Sequence, residues 1–323
     1  MKKQLKSVLA IATFTGAATA AYFTLCRFLV RLAIERKPGN GDPVPRLATS
    51  REPDPVSYEI MVENYRCLFN DAIQWREKVE AESVVLKSGD GLSLDGVIYK
   101  NDSDKWAVVV HGYASRKENM SVYAQHYWDA GFNVLVPDMR AHGESDGKYI
   151  GMGWREKDDL YLWINYILMR DPGAKIVLHG ISMGGATVLM ISGDKLPENV
   201  RAIVEDCGYT GITDVLENTL NNYLHLNSGA IMKTTTRIAK RQAGYDWREG
   251  DTLAQVKKSV TPTLFIHGGN DNFVPTSMVF ELYRAAACPK DIFVVPDAIH
   301  AASSYTEPEK YWRRVFDFIF KYI

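Results

Sequence analysis

Two kinds of apolar pattern divide the chain. Between Glu82 and Tyr99, two strand-type runs, Glu82–Ser88 and Leu92–Tyr99, flank Gly89-Asp90-Gly91, a turn signal that predicts a β-hairpin. Beyond it the rhythm changes. Continuous apolar runs at Trp106–Val110, Phe132–Val136, Lys175–Leu178, Val200–Glu205, Pro262–Ile266 and Asp291–Val295 predict buried strands. Helical spacing over Met120–Ala130 and Trp154–Met169, and again from Pro308, separates several of them. Uninterrupted Val/Ile/Leu runs between helices describe a parallel sheet covered on both faces, so chemistry is expected at the carboxyl ends of its strands.

One interval breaks the alternation. Gly208–Lys258 is too long for a plain connection between two strands and carries helical pieces, which predicts a cap inserted over the strand ends. Its Tyr209, Tyr223, Tyr245 and Trp247 either line a pocket or form the cap's own small core. Lys233, Arg237, Lys240 and Arg241 either make a solvated helix face or rest on a lipid surface.

Ahead of the hairpin, Lys2, Lys3 and Lys6 precede an uncharged stretch from Ser7 to Cys26 that is long enough to span a bilayer. Three readings compete for residues 1–36: an uncleaved membrane anchor, a signal peptide cut after Ala18-Thr19-Ala20, and a buried helix. The anchor is the preferred expectation, because apolar residues resume after Arg27 at Phe28-Leu29-Val30. It would make a single pass, with the domain outside the cytoplasmic face; cleavage would instead give a secreted protein. Residues 37–54, rich in Pro and Gly, predict a linker. A helix over Tyr58–Lys78 makes 55–81 a helical extension, leaving 82–323 as the main domain.

Composition narrows the partners. The 323 residues are 46% hydrophobic, with 38 basic against 39 acidic side chains and a formal charge of −1. Such a balance gives no reason to expect nucleic acid or another polyanion. Cys26, Cys67, Cys207 and Cys288 are isolated and expected as free thiols. No His/Asp/Glu spacing resembles a metal site, and no cofactor is expected.

Candidate chemistry centres on Lys175-Ile176-Val177-Leu178-His179-Gly180-Ile181-Ser182-Met183-Gly184-Gly185, where a strand breaks into Gly-x-Ser-x-Gly and turns helical. This is the pattern of a nucleophile elbow, which holds a serine hydroxyl exposed on a strained turn while small neighbours let other backbone pass. The N–H of Met183 opens the following helix and is a candidate oxyanion donor. A serine needs a base, and the base needs an orienting acid. Asp271 falls in a loop past the Pro262–Ile266 strand, and His300 falls just beyond Asp291–Val295, giving the order Ser, Asp, His. Asp206, at the end of the preceding strand, is the rival acid. His111, His126, His142, His179, His225 and His267 are poorly placed as bases. The N–H of Tyr113, after His111-Gly112, is the second oxyanion candidate, and its ring either shapes the pocket or packs.

With these residues in view, the segment from Glu82 to Ile323 resembles the α/β-hydrolase superfamily, and most closely the bacterial membrane-bound or cell-surface serine hydrolases related to carboxylesterases. The likeness runs through His111-Gly112-Tyr113, Asp138-Met139-Arg140-Ala141-His142-Gly143-Glu144-Ser145, Gly180 to Gly185, Gly268 to Pro275, and His300. Ala141 stands where that superfamily commonly has glycine. The resemblance implies an eight-stranded, mostly parallel sheet with helices on both faces, and hydrolysis of a small-molecule ester. The same triad could serve an amidase, peptidase or thioesterase, and a membrane-tethered binding module without catalysis is the reading from another class.

Overall fold

The computed structural model describes residues 2–36 and 54–323, with the backbone alone for 2–17. Eight strands form one sheet: β1 (Ala81–Lys87), β2 (Ser93–Tyr99), β3 (Lys105–Val110), β4 (Asn133–Pro137), β5 (Lys175–Ile181), β6 (Val200–Asp206), β7 (Thr263–Gly268) and β8 (Lys290–Val295). Their order across the sheet is β1-β2-β4-β3-β5-β6-β7-β8. The hairpin strands β1 and β2 pair antiparallel, β2 meets β4 antiparallel, and every pairing from β4 to β8 is parallel. This is the α/β-hydrolase fold.

Eleven α-helices are described: α1 (Lys2–Ile34), α2 (Pro55–Lys78), α3 (Ser121–Asp129), α4 (Glu156–Arg170), α5 (Met183–Ile191), α6 (Ile212–Asn218), α7 (Ser228–Ala243), α8 (Thr252–Val256), α9 (Ser277–Ala285), α10 (Ser303–Thr306) and α11 (Pro308–Ile319). Strand alternation assigns them to faces. Ala107, Val109 and Val177 look toward α2, α3, α10 and α11, whereas Val108, Val110, Ile176 and Leu178 look toward α4 and α5. Both faces are therefore apolar and covered, which is why the strands read as continuous hydrophobic runs.

Residues 208–258 hold α6, a π-helical turn at 219–223, α7 and α8. With the end of α1 they share a separate apolar cluster, which includes Leu29, Val30, Ile34, Ile212, Val215, Met232 and Trp247, above the carboxyl edge of the sheet. Lys233, Arg237, Lys240 and Arg241 are exposed on α7. All four cysteines are free thiols.

The amino-terminal helix packs in part against the domain. Among the described residues no helix is long and apolar enough to cross a membrane, and α1 instead gives its second half to the domain. Cys26, Val30 and Ile34 are fully buried there, at the i, i+4 spacing of one helix face. Burying a Val or Ile side chain is worth roughly 1.5–3 kcal/mol. Backbone bonds continue the attachment: Ile150 N donates to Ile34 O at 2.7 Å and Arg36 N to Lys148 O at 2.8 Å. Thr13, Thr15, Thr19, Thr24 and Arg27 dilute the stretch that the uncharged run suggested as a span. The linker expected over 37–54 lies outside the described residues except for Asp54, whose carboxylate caps α2 by accepting from Ser57 N.

Candidate active site

The turn from β5 into α5 carries Ser182 at φ 55°, ψ −114°, a conformation that costs a non-glycine residue on the order of 1–3 kcal/mol. Its neighbours explain how the turn is possible. A Cβ at Gly180 would run into the Gly184 carbonyl, and one at Gly184 would run into the carbonyl of Val110 on β3. Ser182 N donates to Asp206 O at 2.7 Å, tying the elbow to the end of β6. Ala114, Ala141, Cys207 and Ala301 also take positive φ, so the strain concentrates in the loops at this edge of the sheet. At Ala141 φ is 60°, the conformation glycine adopts freely, which accounts for glycine being common at that position in the superfamily.

Ser182, His300 and Asp271 stand in one hydrogen-bonded line. Ser182 Oγ lies 2.8 Å from His300 Nε2, and His300 Nδ1 lies 2.7 Å from Asp271 Oδ2. The carboxylate is held by the turn that follows it, because Phe273 N and Val274 N both donate to Asp271 Oδ1, at 3.0 and 2.9 Å. Burial pushes the Asp271 pKa up, but the imidazoles of His300 and His267 outweigh burial and hold it well below the usual carboxylate range. An ionised carboxylate can only accept, so His300 Nδ1 carries the proton and Nε2 is left to accept from Ser182. The ring of Phe273 meets the His300 ring edge-on, with centroids 5.0 Å apart.

Asp206 is engaged elsewhere. Ser303 Oγ donates to its Oδ1 at 3.2 Å and Tyr311 Oη to its Oδ2 at 3.0 Å, which leaves it a buried structural carboxyl under the elbow. Of the remaining histidines, His267 lies against the triad, with Nε2 2.9 Å from Val274 O and 3.3 Å from Asp271 Oδ2, while others are spread through the fold. His111 is buried, with Nδ1 bonded to Gly112 O at 2.8 Å and Nε2 accepting from Met139 N at 3.0 Å. His179 bridges the hydroxyls of Tyr127 and Tyr311, and His126 bonds Val122 O. His142, which sequence reasoning set aside, supports the loop after β3 by accepting from Ala114 N at 3.1 Å. Burial lowers its pKa to about 3, so it stays a neutral acceptor. Lys117 N and Nζ both donate to Asp138, pinning the far end of that loop.

Tyr113 and Met183 flank Ser182 from β3 and α5, and all three line one cavity of about 310 Å³. Leu29, Leu32 and Ala33 of α1, Val215, Leu216, Leu220 and Met232 of the cap, and Phe273 also face it, and none of its lining residues is charged. Of the cap aromatics, Tyr209 and Trp247 line the cavity. Tyr245 packs under it, donating to Ile150 O at 2.7 Å, and Tyr223 stacks edge-on with Phe273 at 5.8 Å. The Tyr113 ring does both: it lines the cavity while its hydroxyl donates to Leu32 O at 3.1 Å.

One group among the described residues brings three potential metal-ligand atoms within 4.8 Å, namely Cys207, Asp271 and His300. Asp271 and His300 are already committed to one another, and burial raises the Cys207 thiol pKa well above its ordinary value. A neutral thiol behind the triad is not a ligand set for a cation.

Glu205 is fully buried beside this site. Gly208 N donates to its Oε2 at 2.9 Å while Oε1 has no partner among the described residues. Burial pushes its pKa up to about 8. The folded protein thus holds a proton that the unfolded chain releases above about 4.3, so stability falls as pH climbs through that window. Glu205→Gln mimics the protonated acid and should remove this slope. Its thermal stability should match wild type near pH 5 and exceed it near pH 9, by up to roughly 4 kcal/mol in urea titrations. Parallel pH profiles for the two proteins would refute the assignment.

The comparisons with known proteins follow the same lines. Residues 118–323 match the model of the prolyl oligopeptidase family. The uncharacterized protein YqkD of Bacillus subtilis (strain 168) is 28% identical over 252 residues, spanning 77% of this chain and 83% of its own. The Pyrococcus furiosus esterase Pf2001 superposes with a TM-score of 0.61 at 24% identity, over 76% of this chain and 92% of its own. The alpha/beta hydrolase GrgF from Penicillium sp. sh18 does so with a TM-score of 0.60 at 17% identity, over 76% and 99%. At those identities the two solved structures establish the fold.

Proposed function

The chain belongs to the prolyl oligopeptidase family and is a serine hydrolase, and from that premise we propose that it cleaves carboxylic esters bearing an apolar acyl group. The observation that carries this reading is the cavity over Ser182, whose lining residues include no charged side chain. A peptide substrate brings charged termini or a row of amide groups that need partners when desolvated. An acyl chain needs only apolar walls.

The steps follow from the geometry. His300 Nε2 takes the proton of Ser182 Oγ as that oxygen attacks the ester carbonyl. The N–H groups of Tyr113 and Met183 receive the oxyanion, with the amino-terminal end of the α5 dipole behind them. His300 then gives its proton to the departing alcohol, leaving the acyl group on Ser182. Water, deprotonated by His300, then attacks this acyl-enzyme, and His300 returns that proton to Ser182 Oγ as the acid is released. Asp271 holds the imidazole in the required tautomer throughout and stabilises its charged form.

The test is a paired panel of p-nitrophenyl esters and p-nitroanilides of the same acyl groups, with an aminoacyl-anilide added. The expected result is turnover of the esters with kcat/KM at least about a thousandfold above the anilides, as suits a site that gives an amine leaving group no special help. Comparable or faster cleavage of the aminoacyl-anilide would replace the esterase reading with a peptidase.

A further inference from the structure

One wall of the acyl cavity comes from outside the α/β-hydrolase domain. Leu29, Leu32 and Ala33 of α1 line it together with Ser182, at the i, i+3, i+4 spacing of a single helix face. The family match runs over residues 118–323, so this wall lies ahead of the matched segment. The helix is fixed in place from several sides. Tyr22 Oη donates to Ala230 O at 2.8 Å and bonds Thr234 Oγ1 at 2.9 Å on α7. Tyr113 Oη donates to Leu32 O, joining the wall to the loop that carries an expected oxyanion donor. Arg36 closes the segment, its guanidinium donating to Ser145 O and Gly143 O at 2.6 Å each. Across the cavity stand Val215, Leu216, Leu220 and Leu224 from the cap. Leu32 is 46% exposed and Leu224 40% exposed, so the cavity has an apolar rim where these two walls meet solvent.

Resting on the esterase reading above, we propose that α1 is the specificity-determining wall of the site, with Leu29, Leu32 and Ala33 setting the length of the unbranched aliphatic acyl chain that the enzyme accepts. Each substrate methylene desolvated between α1 and the cap contributes about fourfold to kcat/KM. A wall moved inward by one large side chain forfeits several methylenes at once, while one trimmed back admits a longer chain.

The test uses the full chain and p-nitrophenyl acetate, butyrate, octanoate and palmitate. Ala33→Phe and the more exposed Leu32→Trp are expected to lower the octanoate-to-acetate ratio of kcat/KM by at least about tenfold. Leu29→Ala should raise the palmitate-to-octanoate ratio several-fold. Thr24→Phe, on a face turned from the cavity, should leave both ratios at wild-type values. A second measurement needs no turnover: the labelling rates of Ser182 by octyl- and ethyl-phosphonofluoridates, whose ratio should fall in Ala33→Phe and Leu32→Trp in the same proportion. Unmoved ratios in variants that melt like wild type would overturn the proposal. Absent ester turnover with a phosphonate ratio that still shifts would sink the esterase reading and leave the wall standing.

Discussion

Ser182→Ala is expected to reduce ester turnover by about 10⁴–10⁶-fold and to abolish fluorophosphonate labelling, while the protein folds and melts as wild type. The size of the loss follows from what the hydroxyl does. Without Oγ no acyl-enzyme forms, and His300 has no nucleophile to activate, so only binding and the oxyanion donors remain. The mild effect on folding follows from the site as well. Ser182 keeps its backbone bond to Asp206 O, and the Cβ that already sits at φ 55° is retained in alanine. Among the described residues the side chain hydrogen-bonds to His300 Nε2 at 2.8 Å, and His300 is itself partly exposed. An activity assay and a thermal melt on the same preparation check both halves. Turnover retained within about a hundredfold of wild type would remove Ser182 from the nucleophile's role.

Ser182, Asp271 and His300 were open to sequence reasoning for a reason specific to this architecture. Each lies within a few residues of the end of a continuous apolar run, and parallel strands deliver all their carboxyl ends to one edge. A local pattern was enough. The strand before the elbow runs on to Ile181, past the apolar run Lys175–Leu178, and residue 180 within it is glycine because a Cβ there would meet the Gly184 carbonyl of α5. The packing of the second half of α1 is not legible for the opposite reason. Its apolar residues look alike from every side, and what separates Cys26, Leu29, Val30, Ala33 and Ile34 from Phe23, Leu25, Phe28 and Leu32 is contact with α7 and with residues 148–150, more than a hundred positions away. No spacing rule reaches that far. His142 was passed over because a buried imidazole that supports a loop and one that does chemistry look the same in a string of letters.

The two candidate acids provide the sharpest separation between structure and catalysis. Asp271→Asn is expected to lower kcat by about 10³–10⁴-fold with little change in KM, because an amide facing His300 Nδ1 can donate and so favours the tautomer whose Nε2–H points at Ser182. The serine would then meet a donor where it needs an acceptor. Asp206→Asn should leave kcat within about tenfold of wild type. Its carboxyl, whose pKa is raised by burial, accepts from Ser303 and Tyr311, and an asparagine oxygen can still take the Tyr311 bond. What it should cost is stability, on the order of 1–3 kcal/mol for a partly unsatisfied buried group, read as a lower denaturant midpoint. The pair decides the matter because both acids end neighbouring strands and both are buried, yet only Asp271 touches the imidazole. If Asp206→Asn carried the large loss in kcat and Asp271→Asn only the loss of stability, the line through Asp271 Oδ2 and His300 Nδ1 would be an incidental ion pair, and catalysis would have to be rebuilt around β6.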